Sequence, residues 1–213
     1  MDRFIRQKDL VPQSLQTKSI SIIGCGAGGR SHALSLSAMG AKSIKIIDFD
    51  LVEPHNIITQ GWSVKHMGRP KVECLLEEMK ELDYEGNANF TSKNGPYDPD
   101  EDGDTDIVIC GLDNMVGRYS IFKQFERGTS ELLVDGRLAG ENLRWLAVDR
   151  DSMDLYEKSL FKDEEAVQGR CTSQGSLYIS KILSSLMIGE LVMHLRGYKR
   201  RTDKMLNLLD YQL

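Results

Sequence analysis

The sequence predicts an α/β fold, a mostly parallel twisted sheet with helices on both faces and an antiparallel C-terminal extension. Three observations predict it. From Ser19 onward short apolar runs alternate with helical ones, the pattern of βαβ units around a parallel sheet. The first of those runs ends in a glycine-rich turn, "GCGAGG" (24–29), that opens a helix. After the last alternation come two further strands, then a long apolar helix and a short final strand.

Taken in order, "SISIIG" (19–24) is the first strand, "AGGRSHALSLSAMG" (27–40) its helix and "KSIKIID" (42–48) the second strand. The stretch "DFDLVEPHNIITQ" (48–60) reads as a polar loop. "PKVECLLEEMKELD" (70–83) sets Val72, Leu75, Leu76, Met79 and Leu82 on one helical face, with Pro70 at the first helical position. A strand over "NANFTSKN" (87–94), an acidic loop over 97–106 and the apolar strand "DIVICGL" (106–112) follow. "NMVGRYSIFKQFERG" (114–128) is a helix ending at Gly128, and "ELLVDGR" (131–137) and "LRWLAVD" (143–149) are strands. Residues 150–170 are charged and read as loop or short helix. Gly175 to Gly197 is a long amphipathic helix and "KMLNLLD" (204–210) a final strand. With no internal repeat and no low-complexity linker, one domain is expected over 1–213: an arm (1–18), a core (19–149) and a C-terminal part (150–213).

Composition excludes several classes. The net charge of −5 argues against a nucleic-acid partner, and the basic cluster "RGYKRR" (196–201) reads as a solvated helix end suited to the C-terminal dipole. No stretch reaches roughly 18 consecutive apolar residues. The best candidate, residues 177–195, is interrupted by Lys181, Ser184, Ser185 and Glu190 and reads as a buried helix, so no membrane partner is expected. The N-terminus lacks the apolar core of a secretory signal, so a cytoplasmic location is expected. Cys25, Cys74, Cys110 and Cys171 form no CxxC pair and the histidines no HxxxH or HExxH spacing, so neither disulfides nor zinc are expected. The first three sit in apolar settings and read as inert core thiols. "DPDEDG" (98–103) matches half a calcium loop, but the position that needs a bidentate glutamate is Ile109, inside a strand.

The chemistry concentrates at the glycine turn. Gly24, Gly26 and Gly29 fit G-x-G-x-x-G, which lets backbone N–H groups approach phosphates at a positive helix N-terminus. Asp48 closes the second strand, where a carboxylate can accept both hydroxyls of a ribose. The fold is therefore Rossmann-like, with a nucleotide site from Gly24 to Asp48. Arg69 and Lys71 stand at the start of the next helix, where a cation opposes the dipole unless an anion lies nearby, so an anion is expected. At the strand end "GLDN" (111–114), Asp113 is the hard oxygen ligand that Mg2+ prefers. Ribose, several phosphates and a metal suit ATP better than NAD.

At this point the sequence resembles the ThiF/MoeB/HesA family, prokaryotic relatives of ubiquitin-activating enzymes. The resemblance rests on "RFIRQ" (3–7), "GCGAGG" (24–29), "DFDLVEPHN..Q" (48–60), "GRPKVE" (68–73) and "LDN...R" (112–118), and more faintly on "CTSQGSLYIS" with the helix and strand after it. It implies adenylation of the C-terminal glycine of a small β-grasp, ubiquitin-like or sulfur-carrier protein, with ATP and Mg2+ as cofactors and a homodimer as the working unit. It implies that Gly24, Gly26, Gly28, Gly29, Asp48, Asp50, Asn56, Gln60, Lys71 and Leu112 line the nucleotide site, that Asp113 holds Mg2+, and that Arg6 crosses to the active site of the other subunit. Asn56 and Gln60 have an alternative role as loop caps, and Asp113–Asn114 as a helix cap.

Two departures qualify the implication. The family usually carries an arginine before Gln60, where this chain has Thr59, so a phosphate contact is missing and Arg30, Lys65 or Arg69 is the expected substitute. The CxxC pairs and the rhodanese-like or ubiquitin-fold extensions of relatives are absent, which leaves a minimal adenylation domain. Cys171, preceded by Arg170, falls where relatives carry an acyl-accepting cysteine, and a neighbouring cation favours thiolate. Two other readings stay open, an NAD-dependent oxidoreductase and a non-catalytic ATP-binding scaffold. The partner itself, whether sulfur carrier, conjugated modifier or short peptide, is not encoded in any residue.

Overall fold

A computed structural model describes residues 3–161 and 176–210. Seven strands form one sheet: β1 (Ser19–Ile23), β2 (Ser43–Asp48), β3 (Asn89–Asn94), β4 (Ile107–Cys110), β5 (Leu132–Ala139), β6 (Asn142–Val148) and β7 (Asp203–Asn207), in spatial order β3-β2-β1-β4-β5-β6-β7. The first five in that order are parallel. β5, β6 and β7 pair antiparallel, with Ala139 opposite Asn142 at the hairpin. The antiparallel extension expected from the sequence is thus part of the same sheet.

Strand periodicity sorts side chains onto two cores. Ile20, Ile22, Ile44, Ile46, Ile107, Ile109, Leu132 and Val134 face one layer, while Ile23, Ile47, Val108, Cys110 and Leu133 face the other. Both faces are covered, which is why these strands read as continuous apolar runs. Helices α1 (Ala27–Met39), α3 (Lys71–Leu82) and α6 (Leu177–Leu195) pack on the first face, and α4 (Met115–Arg127) and α5 (Met153–Glu157) on the second.

Three elements differ from the sequence reading. Residues read as polar loop contain a two-turn helix, α2 (Pro54–Gln60), closed by a capping box between Glu53 and Asn56 with Pro54 at its start. Asp102, in the acidic loop, is buried rather than solvated: Lys45 and Lys93 each donate to its carboxylate at 2.9 Å, and Asp98 N–H at 2.7 Å. Burial raises its pKa, but these three donors outweigh burial and hold it below the usual carboxylate range.

The third is α6. By length and composition it is apolar enough to cross a membrane. Its polar interruptions are not all on the outside: Ser184 and Glu190 face the core, and Glu190 accepts from the Trp145 indole at 3.0 Å and pairs with Lys204 of β7. Here α6 is a core helix against α1, β5 and β6. Cys25, Cys74 and Cys110 are buried, as the apolar settings of these thiols imply.

Candidate functional site

β1 lies between β2 and β4, so the chain reverses direction across the sheet there and a crevice opens outside the carboxyl ends of the three strands. The glycine loop sits in it. Gly24 has φ +94°, and a Cβ on it would stand 2.7 Å from the Gly111 carbonyl oxygen at the end of β4. Gly29 is more confined still: a Cβ there would lie 1.8 Å from the Gly24 carbonyl oxygen. Gly26 caps α1 without a side-chain hydrogen bond, which leaves first-turn N–H groups for an anion. Gly28 has room, its nearest neighbour being His32 Cε1 at 3.9 Å from an added Cβ.

Asp48 braces this loop. Its Oδ2 accepts the Cys25 N–H at 2.5 Å and its Oδ1 the Asp50 N–H at 2.7 Å. Each carboxylate oxygen has a second lone pair, so these bonds leave acceptor capacity for a ribose. Burial first, and then the Asp48 carboxylate, push the Cys25 thiol well above its ordinary value, so Cys25 is a packing residue.

Lys71 opens α3 and is 4% exposed. Its Nζ lies 2.7 Å from Asp50 Oδ2, and its N–H donates to the Asp50 carbonyl at 2.9 Å. Pro70 is the cap before it rather than the first helical residue. The anion that a lysine at this position demands is therefore supplied by the chain itself, as Asp50. Arg69 is likewise paired, with exposed Glu77. Neither cation on its own requires a bound phosphate.

At the end of β4, Gly111 N–H donates to the Ile23 carbonyl at 2.7 Å, joining this loop to the glycine loop. Leu112 is half-buried against the α4 layer. Asn114 caps α4 through the Gly117 N–H at 2.7 Å, so the cap reading of Asn114 holds, while Asp113 remains exposed. Apart from a 3.4 Å contact with the Asn114 amide, no hydrogen bond or ion pair to the Asp113 carboxylate exists among the described residues. No cluster of three or more His, Cys, Asp or Glu suited to a metal exists among them either. One open carboxylate beside the glycine loop fits Mg2+, which is bound through one or two carboxylates plus substrate oxygens.

Asn56 is 2% exposed and its Oδ1 accepts the Glu53 N–H at 2.9 Å, so its side chain is spent on the cap of α2. Gln60 reaches the glycine loop: its Nε2 is 3.8 Å from where a Gly26 Cβ would stand, and its Oε1 accepts the Trp62 indole N–H at 3.1 Å. Thr59 turns back onto the His55 carbonyl at 2.7 Å.

Arg6 lies elsewhere. Its arm is anchored at the far end of α1, by Gln7 Nε2 on the Met39 carbonyl at 2.7 Å, Arg3 on the Ala38 carbonyl at 3.3 Å and Phe4 against Gly40. The 13 residues of α1 place that end about 20 Å from the glycine loop, beyond the reach of an arginine side chain. Arg6 is exposed and makes no hydrogen bond or ion pair among the described residues. Cys171 lies outside the described residues.

A buried ionic cluster behind Asp113 escaped the sequence reading, although Arg118 closes the "LDN...R" run. Asp135, fully buried and in register with Cys110, accepts from Arg118 Nε at 3.0 Å, Arg137 Nε at 2.8 Å and the Tyr156 hydroxyl at 3.2 Å. Arg118 also donates to the Gly136 carbonyl at 3.1 Å. This ties the first turn of α4, and with it the Asp113 loop, to β5. An acidic residue in the middle of an apolar strand was the available signal.

A glycine turn that opens a helix at the direction change of an open sheet defines a Rossmann-like α/β protein with the crevice in which that architecture binds nucleotides. Within that class the chain belongs to the ThiF family, whose model matches residues 3–212. It is 30% identical over 132 residues to the adenylyltransferase and sulfurtransferase uba4 of Emericella nidulans, covering 56% of this chain and 27% of that protein. The curated relatives it matches are longer, and the matches span 11–27% of their length. The crystal structure of E. coli MccB with succinimide superposes with a TM-score of 0.77 at 14% identity, covering 100% of this chain and 70% of that one. MccB with AMPCPP and MccA gives 0.69 at 15% identity, covering 90% and 60%. At such identities the structures establish the shared fold.

Proposed function

We propose that the chain adenylates the C-terminal carboxylate of a ubiquitin-like β-grasp protein or a peptide, consuming ATP and releasing pyrophosphate. One observation carries this reading: the glycine loop, the Asp48–Asp50–Lys71 group and Asp113 come from three separate segments and meet at the carboxyl ends of β1, β2 and β4. Membership of the ThiF family, the similarity to uba4 and the fold shared with an MccB crystallised with AMPCPP and MccA support it.

In this reading Asp48 receives the ribose hydroxyls on its remaining lone pairs. The first-turn amides of α1 receive phosphate oxygens, with the Gln60 amide beside them. Lys71 exchanges the Asp50 carboxylate for a phosphate oxygen, so its cation is already in place when the triphosphate arrives. A substrate carboxylate oxygen then attacks the α-phosphorus, the bond from that phosphorus to the bridging oxygen breaks, and pyrophosphate leaves with those electrons. Asp113 would hold Mg2+, which when bound neutralises phosphate charge. Arg6, too distant to serve its own chain, acts on the site of a second copy in a homodimer. Cys171 accepts the acyl group from the adenylate as a thioester, releasing AMP.

The test is substrate-dependent exchange of labelled pyrophosphate into ATP, with Gly-Gly-terminated β-grasp proteins and short peptides as substrates. Wild type exchanges, Cys171→Ala still exchanges, and Lys71→Met and Asp113→Ala lose about 10²–10³-fold. Arg6→Ala and Lys71→Met, each impaired alone, regain activity when mixed, because a mixed dimer holds one complete site. Absence of ATP binding by the wild type, or loss of exchange in a folded Cys171→Ala, overturns the assignment.

A further inference from the structure

Arg30, one turn into α1, is held by Glu78, two turns into α3, with Nη2 2.8 Å from Oε1. Its guanidinium stacks on Trp62 at 4.9 Å. The pair is half-made. Arg30 Nε and Glu78 Oε2 are both buried with no hydrogen-bond partner among the described residues, although arginine and carboxylate can close a two-bond fork. Among the described residues His66 also faces Glu78, at 3.9 Å, and its Nδ1 is likewise unpartnered. A partly buried ion pair that leaves one of its two bonds unmade gives up less when it exchanges its partner for another anion.

Its position says which anion. Arg30 N–H donates to the Gly26 carbonyl at 2.9 Å, so Arg30 lies directly beneath the glycine loop on the same helix face. Helical side chains lean toward the N-terminus, here toward the first-turn amides. Arg30 Nη1 is 3.5 Å from where a Gly61 Cβ would stand, and Nε2 of the preceding residue, Gln60, is 3.8 Å from where a Gly26 Cβ would stand. Arg69 is turned out to exposed Glu77, and position 59 offers only a threonine whose hydroxyl is bonded to the His55 carbonyl.

We propose that Arg30 binds the outer phosphates of ATP, exchanging Glu78 for them, so that Glu78 and the nucleotide compete for one guanidinium. This rests on the ATP-dependent reading above. Trp62 is the pivot: a planar cation can turn on an aromatic face without losing the stack.

The experiment is calorimetric titration of the full chain with Mg-ATP and, separately, AMP, for wild type, Arg30→Gln and Glu78→Gln, with melting curves for each. Arg30→Gln weakens ATP binding about 10–100-fold and leaves AMP, which lacks the outer phosphates, unchanged. Glu78→Gln, which removes the competitor in nearly the same shape, tightens ATP several-fold. An ion pair serving stability alone predicts that both variants melt earlier, that Glu78→Gln does not tighten ATP, and that neither separates ATP from AMP. Arg30→Gln binding ATP like wild type, or Glu78→Gln failing to tighten it, overturns the proposal while leaving adenylation standing. Wild type failing to bind ATP overturns both.

Discussion

Gly29→Ala and Gly28→Ala form a matched pair in which the same methyl group enters adjacent positions of one helical turn. At position 29 the added Cβ would stand 1.8 Å from the Gly24 carbonyl oxygen, more than an ångström inside ordinary contact. The obstacle is backbone, so no side chain can rotate away; α1 must retreat from β1 or the glycine loop must open. Overpacking of this kind costs about 1–3 kcal/mol where side chains yield, and here about 3 kcal/mol is the lower end. At 2–4 °C per kcal/mol for a chain of this size, the melting temperature falls by roughly 6–12 °C. At position 28 the nearest atom is 3.9 Å from the added carbon, so only the intrinsic preference of a helix for alanine acts, worth up to about 1 kcal/mol in its favour. Urea unfolding followed by circular dichroism separates the two. If Gly29→Ala unfolds within about 0.5 kcal/mol of Gly28→Ala, the close approach of helix and strand is not real and the loop geometry argued from it fails.

Asp135→Asn keeps the shape of the buried carboxylate and removes its charge, leaving the nearly buried guanidinium groups of Arg118 and Arg137 uncompensated; urea denaturation is expected to show a loss of about 3–5 kcal/mol, and a loss below about 1 kcal/mol would falsify the charge argument. Burial lowers the pKa of His32 to about 4, so the folded state holds this imidazole neutral while the unfolded state takes up a proton. Its stabilisation is complete above about pH 6.5 and is lost as pH falls toward about 4, with a slope of up to roughly 1.4 kcal/mol per pH unit; His32→Gln flattens that part of the stability profile, and parallel profiles refute the assignment.

The parallel core was legible because both faces of its strands are covered, which writes unbroken apolar runs into the sequence, and the glycine turn because close packing tolerates no other residue at Gly24 and Gly29. α2 was missed although its signals were present: Pro54 at the start and an acid–amide pair three residues apart were read as part of a polar loop, with Asn56 given a nucleotide role and a loop cap as the alternative. Asn56 shows the general difficulty. An amide that ends a loop by bonding its own backbone and an amide that binds phosphate look alike until burial is known. The partners of Lys71 and Arg30 were illegible for another reason: Asp50 is 21 residues and Glu78 48 residues away, brought close only by the sheet order. Charge on a helix end correctly demanded an anion, but nothing local distinguishes an anion supplied by the chain from one supplied by a ligand. Asp102 was disguised by the acidic residues around it.

The core position of α6 bears on biosynthesis. This hydrophobic segment leaves the ribosome only after the strands it covers, β5 and β6, have been made, so a landing surface can assemble before the segment emerges. Among the described residues β7 follows it, and β7 completes the arrangement by bringing Lys204 to the acid at position 190. Moving this helix to the front of the chain by circular permutation would expose it to the translation machinery with nothing to cover it.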